Sequence, residues 1–580
     1  MIKSPFNMKK FLSLFLLFLT LSSALFADEG VLSPSSAISF ENSTDYFMST
    51  YYYQLKKDVI RGTGDWLNSL YAELQLEGST CSKEYLIDSI SQSESAQELI
   101  DVLQKEKIKT RSEIDIHELL KNYQIRLCLV APCLENPMSY FGHVFLEFYQ
   151  EDNPLFSYCL SYLGTTDLPQ WQVVSRALIG TLPASYTLEP FYVFYDKYIY
   201  NQNRNIMSYN LNLTDEQKNQ LMHIITDSYA ETEDYSFIFN NCTDGLVTLL
   251  TQIDGLGLTS NFLNSPSDLV AKFDSLGILS NRQVYRSIPE VQNMLYERFS
   301  ASEKKSYRTL LKQEDKISYL DTLSEENQIS FSSILAASYY LQFRQQDILP
   351  DDYVQVFEYT GDTLPLSSDE TITVIFNNSG YVNLSYVNTS NEDDLYSLTI
   401  RPLFSDIGED YYSDYEQGAL ELGKFSFCGT KDSLILTDIT WIDVTSLRQM
   451  TQFQKKPSWS FSAKSGFEDD TDSFTIKTGY GYTIGTPTFY LYGFLGNSLE
   501  FSAMNYTSSA GFKLWFMEPE KFVFNYNFEQ SFFDEGDFCW NNESSVNLKY
   551  FLNDKFAVTS DFSFTSKDLS LGVNYYFNLI

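Results

Sequence analysis

Residues 136–149 read NPMSYFGHVFLEFY, and His143 stands where this stretch becomes strand-like. After His143 apolar residues alternate with others, so one face of the predicted strand is apolar and the other carries His143 and Glu147. Gly142 comes directly before the strand. The pattern therefore predicts an imidazole at the rim of a sheet, where a general base can reach the N-terminus of a helix.

A second stretch, YSFIFNNC at residues 235–242, ends on Cys242 and runs into a helical pattern. Residues 246, 249, 250 and 253 are apolar at the spacing of one helical face, so Cys242 falls at or next to the helix start. The unpaired N–H groups and the positive dipole end favour a thiolate there. Asn240 or Asn241 is the expected N-cap, and the free N–H groups near Asn241 and Cys242 are expected to hold an oxyanion.

The two stretches together predict a nucleophile, Cys242, and its base, His143, brought together from distant parts of the chain. A third residue that orients His143 is expected on the next strand or on the same strand. The candidates are Ser157, Tyr162 and Glu147. Two plainer interpretations stay open: Cys242 as half of a disulfide or a buried apolar filler, and His143 as a structural histidine.

The order of the motifs, histidine first and cysteine second, resembles the Lnb N-terminal periplasmic domain family, a circularly permuted relative of papain-like and NlpC/P60 thiol enzymes. Residues of the first motif that match are Asn136, Pro137, Ser139, Phe141, Gly142 and His143, and those of the second are Asn241 and Cys242. The resemblance implies an oxyanion or positioning role for Asn241 and Ser139. Arg204, with YNLNLT at 209–214, is similar to the family's arginine-containing segment and is a candidate substrate residue, although Asn205 stands where the family usually has an acidic residue.

The resemblance implies acyl transfer in the cell envelope, with a phospholipid as acyl donor and the N-terminus of a lipoprotein as acceptor. In that reaction Cys242 attacks the acyl ester with help from His143, and an amine resolves the thioester. Two other functions stay open. One is hydrolysis by the same pair, as in a peptidoglycan amidase, an endopeptidase or a phospholipase. The other is an outer-membrane protein without enzymatic activity that binds lipid or cell wall.

The amino-acid composition of the chain limits the ligands and partners that it can bind. The chain has 580 residues and a formal net charge of -36, and binding nucleic acid needs clusters of Lys and Arg that this balance does not supply. The odd total of seven cysteines leaves at least one thiol outside any intramolecular disulfide scheme. Neither C-x-x-C nor H-x-x-H spacing occurs, so the sequence predicts no zinc site and no cofactor.

The N-terminus predicts export. Lys3, Lys9 and Lys10 precede an apolar run that ends in small residues, which is typical of a signal peptide over residues 1–27. Periodicity then predicts a helical N-terminal region over 28–120, a permuted papain-like catalytic domain over 121–258 and a helical connector over 259–365.

The period changes to two beyond residue 366. In residues 568–580 apolar and polar side chains alternate, and similar runs of about ten residues recur between turn residues. This predicts a C-terminal antiparallel β-barrel of roughly twelve strands over 366–580, in the outer membrane of a diderm bacterium and with the rest of the chain facing the periplasm. The same period also fits a soluble β-sandwich or a lipid-binding barrel. Bacterial outer-membrane barrels usually end on an aromatic residue, whereas this chain ends on Ile580. The expected fold class is α+β overall.

Overall fold

The computed structural model describes residues 43–62, 64–76, 82–104, 123–132, 142–164, 168–228, 232–236, 240–259, 265–346, 350–360, 380–388, 395–407, 415–430, 433–467, 472–486, 488–501, 505–518, 521–534, 537–553 and 555–577. The predicted signal peptide lies outside these residues, as does Ser139. Contacts divide the chain into two compact units: residues 1–130, 143–260 and 276–371 form the first, and residues 131–142, 261–275 and 372–580 form the second.

Four helices precede the sheet of the first unit, and they confirm the predicted helical N-terminal region. They are α1 Ser43–Arg61, α2 Asp65–Leu76, α3 Lys83–Gln92 and α4 Ala96–Gln104. Their apolar faces enter one aromatic core with the sheet, in which the rings of Tyr51 and Trp66 stack with centroids 4.3 Å apart. Burial of rings of this size is a main source of stability in such a layer.

The centre of the first unit is a seven-stranded antiparallel sheet in the order β6-β4-β3-β2-β1-β5-β7. The strands are β1 Gln124–Val130, β2 His143–Tyr149, β3 Tyr158–Gly164, β4 Leu182–Pro190, β5 Ile206–Leu211, β6 Glu233–Tyr235 and β7 Leu279–Tyr285. The predicted histidine strand is thus β2, near the middle of the sheet. Strand β7 lies beyond residue 258, in a stretch predicted to be helical, because pairing with β5 sets the structure of this short segment.

Helices connect the strands along the chain and continue after the last strand of the sheet. Those between the strands are α5 Gln170–Ile179, α6 Phe191–Tyr195, α7 Asp215–Ser228, α8 Cys242–Leu250 and α9 Pro266–Ser275, with a π-helical turn at Asp196–Asn201. The later ones are α10 Ile288–Glu297, α11 Ala301–Leu310, α12 Lys316–Leu320, α13 Glu325–Gln346 and α14 Tyr353–Tyr359. Helix α9 belongs to the second unit. Within the described ranges, none of the helices has both the length and the apolar character needed to cross a membrane.

The two strands that matter most for the site separate at one end. Strands β2 and β3 are in register only from Leu146 opposite Leu160 to Phe148 opposite Tyr158. Toward its start, β2 still pairs with β1 as far as His143 opposite Val130, while β3 pairs with β4 over its whole length. An opening therefore lies between β2 and β3 at the start of β2, and we call it the β2–β3 opening.

The second unit is a closed antiparallel β-barrel. Its strands are β8 Gly380–Asn388, β9 Leu395–Arg401, β10 Leu403–Ser405, β11 Glu416–Thr430, β12 Ser433–Arg448, β13 Ser458–Phe467, β14 Asp472–Thr486, β15 Phe489–Glu500, β16 Asn505–Glu518, β17 Phe522–Asp534, β18 Asp537–Asn553, β19 Phe556–Ser563 and β20 Leu569–Phe577. Strands β8, β9 and β11 to β20 form the ring of twelve, closed where β9 pairs with β11, and the short β10 continues β9 after Pro402. The predicted barrel and its strand number are confirmed.

Alternation along the barrel strands separates an apolar outside from a buried inside. On β14, Tyr480, Tyr482 and Ile484 are exposed, whereas Thr483 between them is fully buried. Tyr492, which pairs with Thr483 in register, is also fully buried. Exposed aromatic and aliphatic side chains on the outer face are what a membrane-spanning barrel presents to lipid.

Candidate active site

Cys242 is the first residue of α8, as the sequence predicts, and Asn241 is the N-cap. The side chain of Asn241 accepts hydrogen bonds from the amides of Thr243 and Asp244, at 2.8 and 3.3 Å. The Asp244 carboxylate accepts in return from the amide of Asn241 at 2.9 Å, which completes a capping box. These three amides are therefore engaged, and the amide of Cys242 is the N–H of this turn that the capping box does not use.

The thiol of Cys242 lies at the β2–β3 opening. Val144 follows His143, and its backbone N–H faces the sulfur. Burial raises the pKa of the Cys242 thiol above its ordinary value, whereas the N–H of Val144 and the side chain and N–H of Thr243 act in the opposite direction. The sequence-based expectation of a thiolate at the helix start is corrected here: the cost of burying a charge outweighs the hydrogen bonds, so the resting sulfur is a neutral thiol.

The phenol of Tyr235 is a further neighbour of Cys242. The Cys242 amide faces its hydroxyl, and burial raises the pKa of Tyr235 well above the ordinary range. The hydroxyl oxygen thus lies next to the one amide that the capping box leaves for an oxyanion. Tyr235 belongs to the sequence motif that ends on Cys242, but the motif alone predicts no role for it.

His143 reaches the same opening from β2. Its Nε2 atom lies 2.8 Å from the hydroxyl oxygen of Ser161 on β3. Burial lowers the pKa of His143 well below its ordinary value, and the nearby positive charges of Lys197 and Arg204 lower it further. The resting imidazole is therefore neutral, which is the form that accepts a proton.

The thiol and the imidazole approach the β2–β3 opening from different faces of the sheet. The side chain of Tyr162 supports α8, because a Cβ on Gly245 would lie 2.4 Å from its ring. His143 and Ser161 lie on the other face, since strand alternation puts them with Phe145, whose ring centroid is 6.2 Å from that of His143. Cys242 thus contacts the backbone of β2 at Val144, whereas His143 contacts Ser161 on the other face, and neither contact joins the thiol directly to the imidazole.

The residues predicted to orient His143 are Ser157, Tyr162 and Glu147, and each of them has another hydrogen-bond partner. Ser157 accepts a hydrogen bond from the amide of Gln150 at 3.0 Å and so holds the turn between β2 and β3. The Tyr162 hydroxyl donates to Glu233 at 3.3 Å. Ser161, which makes the contact, was missed because the register that places it beside His143 is not visible in the sequence.

Glu147 is fully buried on β2, in a small polar cluster in the core. Cys128 and Ser208 donate to its Oε2 atom at 3.6 and 3.4 Å, while Oε1 has no hydrogen-bond partner. Burial raises the pKa of Glu147 to about 7, against the opposing effect of Arg126. This carboxyl is part of the core under the sheet.

Arg204 is buried close to His143. Its guanidinium lies over the ring of Tyr198 at 5.1 Å and donates to Gln202 at 2.8 Å. Asn205 occupies the position where the resembling family usually has an acidic residue, and its amide donates to the carboxylate of Glu290 at 2.9 Å. An acidic group is therefore present beside Asn205, supplied by α10. Among the residues that the structure describes, no cluster of three or more His, Cys, Asp or Glu side chains could hold a metal ion.

The class of protein follows from these two units. A twelve-stranded barrel with an apolar outer face is an outer-membrane architecture, so the chain is an exported protein of the cell envelope. Residues 116–275 match the model of the Lnb N-terminal periplasmic domain, and residues 377–576 match that of a domain of unknown function, DUF7840. The match over residues 116–275 confirms the resemblance to that family.

Solved structures similar to part of this chain include two porins and the translocator domain of an autotransporter. The KdgM porin is 10% identical with a TM-score of 0.23 over 34% of this chain and 99% of that chain. The NanC porin is 8% identical with a TM-score of 0.24 over 34% and 99%. The translocator domain of the autotransporter NalP from Neisseria meningitidis is 12% identical with a TM-score of 0.20 over 34% and 87%. No curated protein that was compared matches the chain.

Proposed function

We propose that the chain is a thiol-dependent acyltransferase of the cell envelope, with Cys242 as the nucleophile and His143 as the general base. One observation carries the proposal. The Cys242 thiol, at the start of a capped helix, and the imidazole of His143 both lie at the β2–β3 opening, the thiol against the Val144 amide and the imidazole on Ser161. Nucleophile, base and a partner that orients the base are the three parts of such a catalytic unit.

The first step forms a thioester. The Nε2–H of His143 donates to Ser161, so that Nδ1 is unprotonated and takes the thiol proton across the β2–β3 opening as the sulfur attacks the ester carbonyl of the donor. The amide of Cys242 stabilises the oxyanion, once the Tyr235 hydroxyl makes room for it or donates to it. The imidazolium then returns the proton to the departing alcohol. Both groups are neutral at rest, so proton transfer accompanies the attack.

The second step transfers the acyl group to an amine. The amine attacks the thioester carbonyl, the sulfur leaves, and His143 takes the proton from the new amide nitrogen and returns it to the thiolate. The family implies a phospholipid as donor and a lipoprotein N-terminus as acceptor. An outer-membrane barrel on the same chain supports this choice, because it keeps the enzyme at a phospholipid surface.

The test is intact-mass measurement of the full-length protein after incubation with phospholipid vesicles. We expect an acyl-sized mass increase that hydroxylamine removes, and no increase in Cys242→Ala or His143→Ala. Cys428→Ala, which removes a half-buried thiol of the barrel unit, is the matched control and is expected to form the adduct like the wild type.

The same experiment separates the other functions. Release of lysolipid and free fatty acid, with no amide formed when an amine acceptor is added, would indicate a phospholipase. No adduct and no lysolipid would contradict acyl chemistry on phospholipid and would leave peptidoglycan cleavage or a binding role.

A further inference from the structure

We infer that the barrel of this chain anchors it and does not conduct, because its lumen is closed at one end by side chains that Asp406 holds in place. This inference concerns the second unit alone and does not rest on the proposed chemistry. The closed end is the one where the barrel begins and finishes, since Gly380 of β8 pairs with Phe577 of β20 there. We call it the entry end.

An apolar layer fills the lumen at the entry end. Its buried members are Ile407, Leu447, Tyr490, Tyr492, Trp515, Met517 and Val523. Leu447, Tyr490, Met517 and Val523 each lie one residue from the end of a strand, and all four strand ends are at the entry end. A water-filled pore is lined by polar side chains, so a packed layer of this kind closes the lumen to water.

A broken stretch of the wall, residues 401–407, adds side chains to the lumen next to this layer. Strand β9 ends at Arg401, and Pro402, which has no N–H for the ladder, separates it from β10. Gly423 of β11 takes a φ of +71° opposite this break, and a Cβ built on it would lie 3.8 Å from the Pro402 ring. After the break, Phe404 and Ile407 are buried inside the barrel. A ring of twelve strands is wider than one that its own side chains fill, and this segment helps to fill it.

Asp406 fixes the segment through ion pairs. Its carboxylate accepts from both terminal nitrogens of Arg401, at 2.9 and 2.8 Å, and pairs with Lys549 across the lumen at 3.1 Å. Arg401 also pairs with Glu421, which pairs with Lys424 at 3.1 Å. The Arg401 guanidinium lies 4.6 Å above the ring of Phe404. Arg401 and Lys549 are almost fully buried and Asp406 is mostly buried, and charges with so little water around them are stable only when they are paired.

The opposite half of the lumen is different in character. Asp438 pairs with Lys464 at 3.3 Å, and half of that lysine is exposed. Toward the same end of the barrel, Ser509 of β16 donates to Glu529 of β17 at 2.6 Å. Polar side chains of this kind tolerate water. We therefore expect the lumen to be open to water at the end opposite the entry end. The closure of the entry end depends on the apolar layer and on Asp406.

The experiment measures ion conductance of the full-length protein in planar lipid bilayers. We expect the wild type to insert without discrete conductance steps and Asp406→Ala to show them, because removal of the carboxylate leaves Arg401 and Lys549 facing each other and admits water. Asp438→Ala, which removes a lumen carboxylate from the open half, is the matched control and is expected to stay silent. Heat-modifiable mobility on gels reports whether each barrel is folded.

A second variant covers the case in which Asp406→Ala does not fold. Tyr490→Ala combined with Trp515→Ala removes two of the three rings of the apolar layer and is also expected to conduct. Steady conductance steps from the wild type would overturn the inference. Silence from folded Asp406→Ala would overturn the role of Asp406, and silence from the folded double variant would overturn closure by the apolar layer.

Discussion

The Nε2 atom of His143 and the hydroxyl oxygen of Ser161 are 2.8 Å apart, and they span the place where β2 and β3 separate. Strand pairing would normally fill this space with backbone hydrogen bonds. At this opening the Cys242 thiol instead lies next to the backbone N–H of Val144. Ser161 is therefore the residue that fixes the imidazole at this opening.

Replacing Ser161 by alanine is expected to slow thioester formation. Loss of one neutral hydrogen bond costs about 0.5–1.5 kcal/mol, which corresponds to a rate reduced roughly 2- to 10-fold. The rate is measured as growth of the acyl-sized mass over time, at several pH values. Ser161→Thr keeps a hydroxyl and is expected to restore most of the rate, whereas a purely structural role would give no such rescue. Ser157→Ala is the matched control on the neighbouring turn, and a reduction as large as that of Ser161→Ala would contradict the assignment.

The reactivity of the Cys242 thiol provides a test that needs no substrate. Since burial raises its pKa, the thiolate fraction is small at pH 7 and increases only at pH values above the ordinary cysteine range. We expect iodoacetamide to modify Cys242 more slowly than free cysteine at pH 7, with a rate that still rises above pH 9. Peptide-level mass spectrometry after timed exposure separates this thiol from the others. A rate that is already constant between pH 6 and pH 8, roughly the range of an ion-paired thiolate, would show that the resting state is charged.

Much of this architecture is predictable from the sequence because it depends on local pattern. The alternation in residues 568–580 predicts barrel strands, and the apolar spacing after Cys242 predicts that it begins a helix. Ser161 is different, since its contact with His143 depends on a register that stops at Leu146 and Leu160. The predicted charge state of Cys242 was wrong for a similar reason. The helix start favours a thiolate, but burial depends on the tertiary structure and raises the pKa of the thiol more than the helix start lowers it.

Docking of α8 on the sheet depends on the absence of a side chain at Gly245. A Cβ there would lie 2.4 Å from the ring of Tyr162, so Gly245→Ala is expected to push the helix, and the Cys242 thiol with it, away from the β2–β3 opening. Overpacking of this kind costs about 1–3 kcal/mol. We expect faster alkylation of Cys242 at pH 7 and slower thioester formation. Thr248→Ala, at an exposed position of the same helix, is the control, and equal behaviour of the two variants would argue against tight packing at Gly245.

Glu147 is expected to make the stability of the first unit depend on pH. Burial raises its pKa from an ordinary value of 4.5 to about 7, so the folded state binds a proton that the unfolded state releases. This stabilisation is complete below pH 4.5 and is lost as the pH rises through about 7. Glu147→Gln keeps the shape of the neutral acid, and it is expected to be more stable than the wild type at alkaline pH by at most about 3 kcal/mol.

Hydrogen exchange of β2 peptides in the full-length protein measures this effect. After correction for the intrinsic exchange rate, protection of β2 in the wild type should fall between pH 5 and pH 8, an interval that brackets the shifted pKa of Glu147, whereas protection in Glu147→Gln should stay nearly constant. Glu151→Gln, at an exposed position in the turn after β2, is the control and should follow the wild type. Equal loss of protection in Glu147→Gln and the wild type would mean that Glu147 is already charged in the folded protein, with Arg126 as the compensating cation.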